Sequence, residues 1–227
     1  MTEVIVVCEG RTDETFVRRV LCEPLSERGV YLYSRLIPTS KTGKGGALSP
    51  DRVLRNLSNT LRERHDTYVS TFFDLYRLYS EFPGYSPRLQ GISSITQAQN
   101  VEQSLHQAVL EQADCLPERF LPHIQPYEFE SLLFSDTDCL AEVNPEWRSF
   151  AADLRSARRS ASTPEEINDG DNTHPSARLK RLPGYKKVSD GLLVAEAIGL
   201  RKIRSECHHF DAWLSRIENL EPLEQGS

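Results

Sequence analysis

Long apolar runs are absent from this sequence, in which no segment approaches the roughly 18 uninterrupted apolar residues of a membrane-spanning helix. The start, MTEVIVVCEG, also lacks the basic flank and the cleavage site of a secretory signal peptide. These two absences predict a cytoplasmic protein that has no membrane partner.

Paired cysteines are lacking as well. The sequence has five cysteines, an odd number, and none of them belongs to a C-x-x-C pair. This pattern indicates neither a disulfide framework nor a zinc ribbon, so we expect reduced thiols. The scattered positions are Cys8, Cys22, Cys115, Cys139 and Cys207.

An excess of positive charge is also missing. The 227 residues carry a formal net charge of −6, whereas domains that coat nucleic acid by bulk electrostatics are basic overall. Basic residues recur in short clusters, such as the one between Arg178 and Lys187. These clusters indicate either a basic wall beside an acidic centre or solvated helix faces. Length and composition are those of one large globular domain, or of a core with an appendage.

Three buried strands alternate with two helices in the first part of the chain. The strands are predicted at EVIVVCEG, VYLYSRLIP and TYVSTFFD, which are apolar, β-branched or aromatic runs. A helix capped by Thr12 follows the first strand, and a helix opened by Ser49 and Pro50 precedes the third. This order predicts an α/β fold with a mostly parallel central sheet, whose polar strand ends hold the active site.

The remainder of the chain is expected to complete the sheet and then to become helical. FLPHIQ is predicted as a fourth strand, and YEFESLLFSD as a short helix that faces inward. We therefore expect a catalytic core over 1–140, a helical C-terminal region packed on this core over 141–220, and a polar tail over 221–227.

Seven short motifs follow one another between about residue 4 and residue 214, namely EGRTDE, FFDLY, FPG, QPYEFESLLFSD, PSARL, YKK and HHFDAWL. The first two resemble the opening motifs of the Toprim fold, in which a glutamate-glycine pair ends the first strand and an aspartate ends a later strand. The whole series resembles a bacterial Toprim family related to the nucleases of the overcoming-lysogenization-defect (OLD) group. The resemblance implies a Toprim-like sheet of about four strands, flanked by helices, with a helical C-terminal extension.

The resemblance also assigns roles to two acids. It implies that Glu9 is the acid of the Toprim motif, as a metal ligand or a general acid/base, and that Asp74 is a metal ligand. The implied cofactor is Mg²⁺ (or Mn²⁺), because hard cations prefer carboxylate oxygens. By position alone, Glu9 has the alternative role of a turn or helix-capping carboxylate.

Three further acids are candidate metal ligands. Asp13 lies one helical turn beyond Glu9. Glu128 and Glu130 follow the predicted fourth strand, where the resemblance to OLD-type domains implies another metal-binding acid, with Glu128 preferred. The alternative for all three is an acid in the first turn of a helix, where it complements the helix dipole.

One carboxylate of the better-known Toprim pattern is missing. The expected Asp-x-Asp motif reads Asp74-Leu75-Tyr76 here, and a tyrosine supplies no carboxylate. The second metal is therefore in question, and a site that binds nucleic acid or nucleotide without cutting it is an alternative.

Four lysines are candidates for contacting substrate phosphates. Lys41 and Lys44 belong to SKTGKGG, whose glycine amides would cradle an anion, although the sequence lacks the Walker motif G-x-x-x-x-G-K-[ST]. Lys186 and Lys187 follow Gly184-Tyr185. A plain surface loop and a solvated turn, respectively, are the alternatives.

The histidines form no obvious metal motif. Cys207, His208 and His209 suggest zinc, but adjacent histidines point to different sides of a helix and no second cysteine-histidine pair lies nearby, so a structural role is favoured. His123 is interpreted as a packed side chain in a strand, with proton transfer as the alternative.

The resemblance implies a Mg²⁺-dependent nuclease that hydrolyses phosphodiester bonds of DNA or RNA and serves in bacterial defence against phage. Related nucleases work with an ABC-type ATPase, and this chain is too short to contain one, so we expect a separate ATPase encoded nearby. The alternative is a non-catalytic subunit that keeps the Toprim scaffold to bind an ATPase or nucleic acid. The sequence leaves the oligomeric state open, a homo-oligomer included.

Overall fold

The computed structural model describes residues 1–37, 49–78, 80–85, 92–167, 170 and 172–223. Lys41 and Lys44, the two lysines predicted to contact phosphate from a glycine-rich loop, lie outside the described residues. Among the residues that the structure does describe, no helix is both long enough and apolar enough to cross a membrane.

The predicted α/β architecture is confirmed, because the centre of the protein is a parallel sheet with helices around it. The strands lie in the order β2, β1, β3, β4, with β5 also paired to β3. Their bounds are β1 Thr2–Cys8, β2 Val30–Leu36, β3 Tyr68–Asp74, β4 Phe120–Leu121 and β5 Ile124–Gln125.

The predicted strand FLPHIQ is divided into β4 and β5, which pair with successive parts of β3. Pro122 lies between them and has no N–H group for the ladder. At the interruption, the backbone N–H of His123 donates to the hydroxyl of Thr71 at 2.9 Å. The interruption therefore turns the His123 side chain into the layer next to the sheet, where its ring lies beside those of Phe72 and Trp213.

The first helical segment begins earlier than predicted, at Arg11, and Gly10 rather than Thr12 is its N-cap residue. Asp13 accepts the N–H of Gly10, which explains why the segment begins here. The segment consists of α1 Arg11–Phe16, a π-helical turn Val17–Leu21 and α2 Cys22–Ser26. The remaining helices are α3 Pro50–Glu63, α4 Ser94–Ala113, α5 Thr137–Glu142, α6 Ala151–Arg159, α7 Pro175–Leu179, α8 Lys187–Ile198, α9 Leu200–Glu206 and α10 His208–Glu218.

Two hydrophobic layers cover the sheet, one on each face. Along β1, Val4 and Val6 belong to the first layer, while Ile5 and Val7 belong to the second, as the alternation of a strand requires. The second layer contains the buried sides of α3 and α4. The first layer contains α1 and the C-terminal helices, whose Trp213 donates its ring N–H to the hydroxyl of Ser70 on β3 at 2.9 Å. The C-terminal helices thus pack directly on the sheet, and the predicted domain division stays a prediction.

Candidate metal centre

The ends of three parallel strands define the candidate site. β1 ends one residue before Glu9, β3 ends on Asp74, and β5 ends three residues before Glu128. Cys8 pairs with Phe72 and Asp74 pairs with Gln125, so these ends lie at one edge of the sheet. This carboxyl edge is where open parallel sheets place their ligands. The sheet therefore places acidic residues at or just beyond its strand ends, as the sequence predicted for Glu9 and Asp74.

Asp13 stands in the first turn of α1 and is 5% exposed. Its Oδ2 accepts the N–H of Gly10 at 3.0 Å, so the predicted alternative of a helix-end acid describes part of its role. Its other oxygen, Oδ1, is buried and has no hydrogen-bond partner among the residues that the structure describes. Burial, and after it the carboxylate of Asp74, raises the pKa of Asp13 well above its usual value, and Glu9 adds to the effect. A cation near Oδ1 would remove this penalty.

Asp74 lies at the centre of the arrangement. Its Oδ1 accepts the N–H of Phe129 at 2.8 Å, and its Oδ2 lies 3.9 Å from the ammonium nitrogen of Lys187. The side chain is 4% exposed. Burial raises the pKa of Asp74 to about 7, against the lowering effect of Lys187, and the nearby Glu130 and Glu128 raise it further. Without a bound cation, this carboxyl group therefore keeps its proton to a higher pH than an exposed aspartate does.

Glu130 and Lys187 form a buried ion pair within the same site. The ammonium nitrogen of Lys187 is 2.8 Å from Oε2 of Glu130, whose side chain is fully buried. Burial raises the pKa of Glu130, and its Oε1 has no hydrogen-bond partner within the described part of the chain. Burial disfavours the charge on Lys187, but the carboxylates of Asp74 and Glu130 outweigh burial and raise its pKa. Lys187 is therefore charged and partly neutralises the carboxylates of Glu130 and Asp74.

Glu128, on the other hand, is held by neighbours from a distant part of the chain. Its Oε1 accepts the N–H of Ser176 at 2.5 Å and lies 3.0 Å from Nδ1 of His174. The His174 ring in turn stacks on Tyr76, with ring centres 5.1 Å apart. The PSARL motif thus orients Glu128, and Tyr76, which replaces the expected aspartate, contributes a surface for His174. No sequence signal connected His174 to Glu128, because 46 residues separate them.

The two lysines that follow Tyr185 have different environments. Lys187 lies in the acidic cluster, whereas the side chain of Lys186 is exposed at the start of α8. The backbone N–H of Lys186 donates to Asp190 at 2.7 Å, which fixes the first turn of this helix. Within the YKK motif, the structure thus brings only Lys187 to the carboxylates.

In the part of the chain that the structure describes, the cluster combines five acids with one lysine. Two of its carboxylate oxygens, on Asp13 and Glu130, are buried and have no hydrogen-bond partner in the described ranges. Oxygen-only donors with excess negative charge suit a hard divalent cation such as Mg²⁺ or Mn²⁺. The donor set therefore suits this group, with Asp13, Glu128 and Glu130 close enough to Asp74 for their charges to interact, and Glu9 close enough to Asp13.

The cysteine and histidines near the C terminus are placed in separate environments. Cys207 is buried and lies 3.3 Å from the hydroxyl of Ser135, while His208 is exposed. His209 points to Glu102 on α4, at 2.8 Å, and its ring lies beside that of His123. The packed environment predicted for His123 matches its position between the rings of Phe72 and Trp213. Sequence reasoning missed Glu102 altogether.

The fold and this site define an α/β protein with a parallel sheet and a cluster of acids at the sheet's carboxyl edge. The model of a family described as a domain of unknown function (DUF4276) matches residues 8–218, and the chain belongs to that family. The matched range includes all five acids and Lys187. No curated protein and no solved structure matches the chain.

Proposed function

We propose that this protein is a Mg²⁺-dependent Toprim-type nuclease that hydrolyses phosphodiester bonds of DNA or RNA. The observation that carries the proposal is the interaction of Asp74 with Asp13, Glu128 and Glu130, and of Asp13 with Glu9, at the carboxyl edge of a parallel sheet. Folding places these acids together although their burial and mutual repulsion raise the pKa of Asp13, Asp74 and Glu130. Buried acids with raised pKa values are typical of sites that bind a cation or transfer protons.

The residues have distinct roles in this proposal. Asp74 and Asp13 hold the cation, and Glu9 either binds it or exchanges a proton with the attacking water. The N–H of Phe129 fixes Asp74, and Ser176 and His174 fix Glu128. Mg²⁺ bound there supplies charge neutralisation at the phosphate and activation of a water. Lys187, which is 27% exposed, offers its ammonium group to a phosphate oxygen.

The setting of the proposed reaction follows from the resemblance to OLD-type nucleases. We place the protein in the bacterial cytoplasm, as an effector of anti-phage defence that a separate ABC-type ATPase controls. Nucleic acid is the substrate, and the ATPase is the expected partner.

Cleavage assays test the proposal directly. Purified protein, alone and with the ATPase encoded beside it, is incubated with supercoiled DNA, linear DNA and RNA in the presence of Mg²⁺ or Mn²⁺. We expect cleavage that Glu9→Gln and Asp74→Asn each reduce by at least about 100-fold. Glu14→Gln is the matched control, because Glu14 is a neighbouring acid of α1 that is only half-buried. The proposal fails if no substrate is cut under any condition, or if both site variants cut like the wild type.

The second candidate is a non-catalytic Toprim-scaffold subunit that binds an ATPase or nucleic acid. The ion pair between Lys187 and Glu130 favours it, because an ammonium group already neutralises part of the charge that a cation would neutralise. Calorimetric titration separates the two candidates. Mg²⁺ or Mn²⁺ binding that Asp74→Asn abolishes supports the nuclease, whereas indifference to metal with retained partner binding supports the scaffold.

A further inference from the structure

A second group of potential metal ligands shares no residue with the acidic cluster. It consists of Glu102 on α4, His123 between β4 and β5, and His209 on α10, and one ligand atom from each lies within 4.8 Å of the others. Nε2 of His209 is 2.8 Å from Oε1 of Glu102, and Nδ1 of His123 is 3.6 Å from the same oxygen. Three separate elements of the fold thus converge on one point.

One nitrogen of the His123 ring has no hydrogen-bond partner among the residues that are described. The side chain is 0% exposed, and its Nε2 lies 3.2 Å from the amide oxygen of Gln125. A ring nitrogen that donates to an amide oxygen carries the proton, so Nδ1 of the neutral ring has only a lone pair. Among the described residues Nδ1 has no hydrogen-bond partner, and it faces the carboxylate of Glu102, which is itself an acceptor. A cation between these two atoms would give the fully buried Nδ1 the partner that it lacks in this part of the structure.

His209 has the same arrangement of contacts. Its ring makes one hydrogen bond with the backbone of Ile124 and directs the other nitrogen, Nε2, at Glu102. Metal-binding histidines usually donate their second ring N–H to a carbonyl or carboxylate oxygen, which orients the ring. In this cluster, the carbonyl of Ile124 and the amide oxygen of Gln125 are these outer partners.

The distance between the two rings also suits a shared metal ion. Two imidazoles that bind one Zn²⁺ at about 2.1 Å in tetrahedral geometry have ring centres about 5 Å apart. The ring centres of His123 and His209 are 5.1 Å apart.

We propose that Glu102, His123 and His209 form a structural site for a divalent transition metal, with Zn²⁺ as the preferred ion. Two imidazole nitrogens and one carboxylate oxygen suit Zn²⁺ better than Mg²⁺, so the site differs in chemistry from the acidic cluster. The second oxygen of Glu102 or a water completes the coordination. Bound metal would link α10 and α4 to the sheet. The Trp213 ring packs against the His123 ring, with the ring centres 4.5 Å apart. The alternative is a metal-free ion pair between His209 and Glu102.

Metal titration of tag-free, chelator-treated protein tests this site. We expect one Co²⁺ per chain to give the visible absorption of tetrahedral cobalt, and Zn²⁺ to displace it. His209→Gln should abolish this spectrum, and Gln125→Ala, which removes an outer partner, should weaken binding on the order of 10–100-fold. Two variants should keep it, namely His208→Gln, the exposed neighbouring histidine, and Asp74→Asn, which removes the centre of the acidic cluster. Retention in Asp74→Asn makes the result independent of the proposed nuclease.

Two titration results would overturn the proposal. One is the absence of stoichiometric Co²⁺ or Zn²⁺ binding to the folded wild type, and the other is equal binding by wild type and His209→Gln. Glu102→Gln serves as a second ligand variant, because its amide oxygen still accepts the N–H that Ile124 donates to Glu102 at 2.8 Å. X-ray absorption of the Zn²⁺-loaded wild type gives an answer without any variant, since a spectrum that lacks imidazole ligands contradicts the site.

Discussion

The ammonium nitrogen of Lys187 lies 2.8 Å from Glu130 and 3.9 Å from Asp74, at the point where the acids of the sheet edge meet. This contact joins the start of α8 to the last residue of β3 and to the segment that follows β5. Lys187 therefore has two functions in the proposed enzyme. It offsets the repulsion between buried carboxylates, and it presents a positive charge beside the proposed cation.

Removing that charge should destabilise the protein at alkaline pH. In Lys187→Met the carboxylates of Glu130 and Asp74 stay buried without a counter-charge, so we expect the free energy of unfolding to fall by about 2–4 kcal/mol at pH 8. The loss should be smaller at pH 5, because the raised pKa of each acid lets it take up a proton. Urea denaturation in the absence of divalent metal measures both values. Lys186→Met is the matched control, with an exposed side chain and an expected change within about 0.5 kcal/mol.

Asp74→Asn should stabilise the metal-free protein above pH 7. The pKa of Asp74 is about 7 in the folded state and near 4 when unfolded, so the folded state retains a proton that the unfolded state releases. The contribution of Asp74 to stability therefore declines from about pH 4 to pH 7 and then stays constant. We expect the variant to match the wild type near pH 4 and to exceed it by on the order of 1–4 kcal/mol at pH 8.

A pH series of thermal or urea unfolding measures this difference. Asp66→Asn provides a control of opposite sign, because Arg64 lowers the pKa of the exposed Asp66. That variant should lose a little stability at pH 8 and none at low pH. A constant gap between Asp74→Asn and the wild type from pH 4 to pH 8 would contradict the raised pKa.

Two substitutions of Asp13 should separate its capping role from its proposed metal-binding role. Asp13→Asn keeps an oxygen that accepts the N–H of Gly10, so this variant should be no less stable than the wild type and yet bind Mn²⁺ at least about tenfold more weakly. Asp13→Ala also loses the cap and should cost about 1 kcal/mol of stability relative to Asp13→Asn. Calorimetric Mn²⁺ titration and urea denaturation give the two readouts. Equal Mn²⁺ affinity in wild type and Asp13→Asn would leave Asp13 with the capping role alone.

We expect that the FPG motif requires glycine at position 84 because this residue packs closely against α4. Gly84 has a φ of +75°, and a β-carbon there would lie 2.5 Å from the carbonyl oxygen of Asn100 and 2.5 Å from the hydroxyl of Ser104. Gly29 has a similar φ of +81° but open space around it. Gly29→Ala should therefore cost about 1 kcal/mol from backbone strain, and Gly84→Ala about 1–3 kcal/mol more from the collision. Similar losses of stability in the two variants would contradict this explanation. They would show that α4 moves away from the new β-carbon at position 84 without a measurable loss of stability.

The sequence was sufficient for the sheet and for the acids that belong to contiguous motifs. A continuous apolar run before Glu9 predicted β1, and an aromatic and β-branched run that ends on Asp74 predicted β3, because strands buried on both faces carry few charged residues before their ends. The sequence was less informative where one segment was compatible with either one continuous strand or two short strands. FLPHIQ reads as one strand, but the missing N–H of Pro122 divides it.

Contacts between distant segments were decided by the tertiary structure alone. Glu102 and His209 are 107 residues apart, and Glu130 and Lys187 are 57 residues apart, distances over which neither helical nor strand periodicity carries information. The sequence by itself determined an α/β protein with acids at its strand ends. Only the packing of the C-terminal helices on the sheet decided that Lys187 enters the acidic cluster and that His209 meets His123. The physical reason is that burial next to the sheet, rather than any local pattern, brings these charged and polar groups within reach of each other.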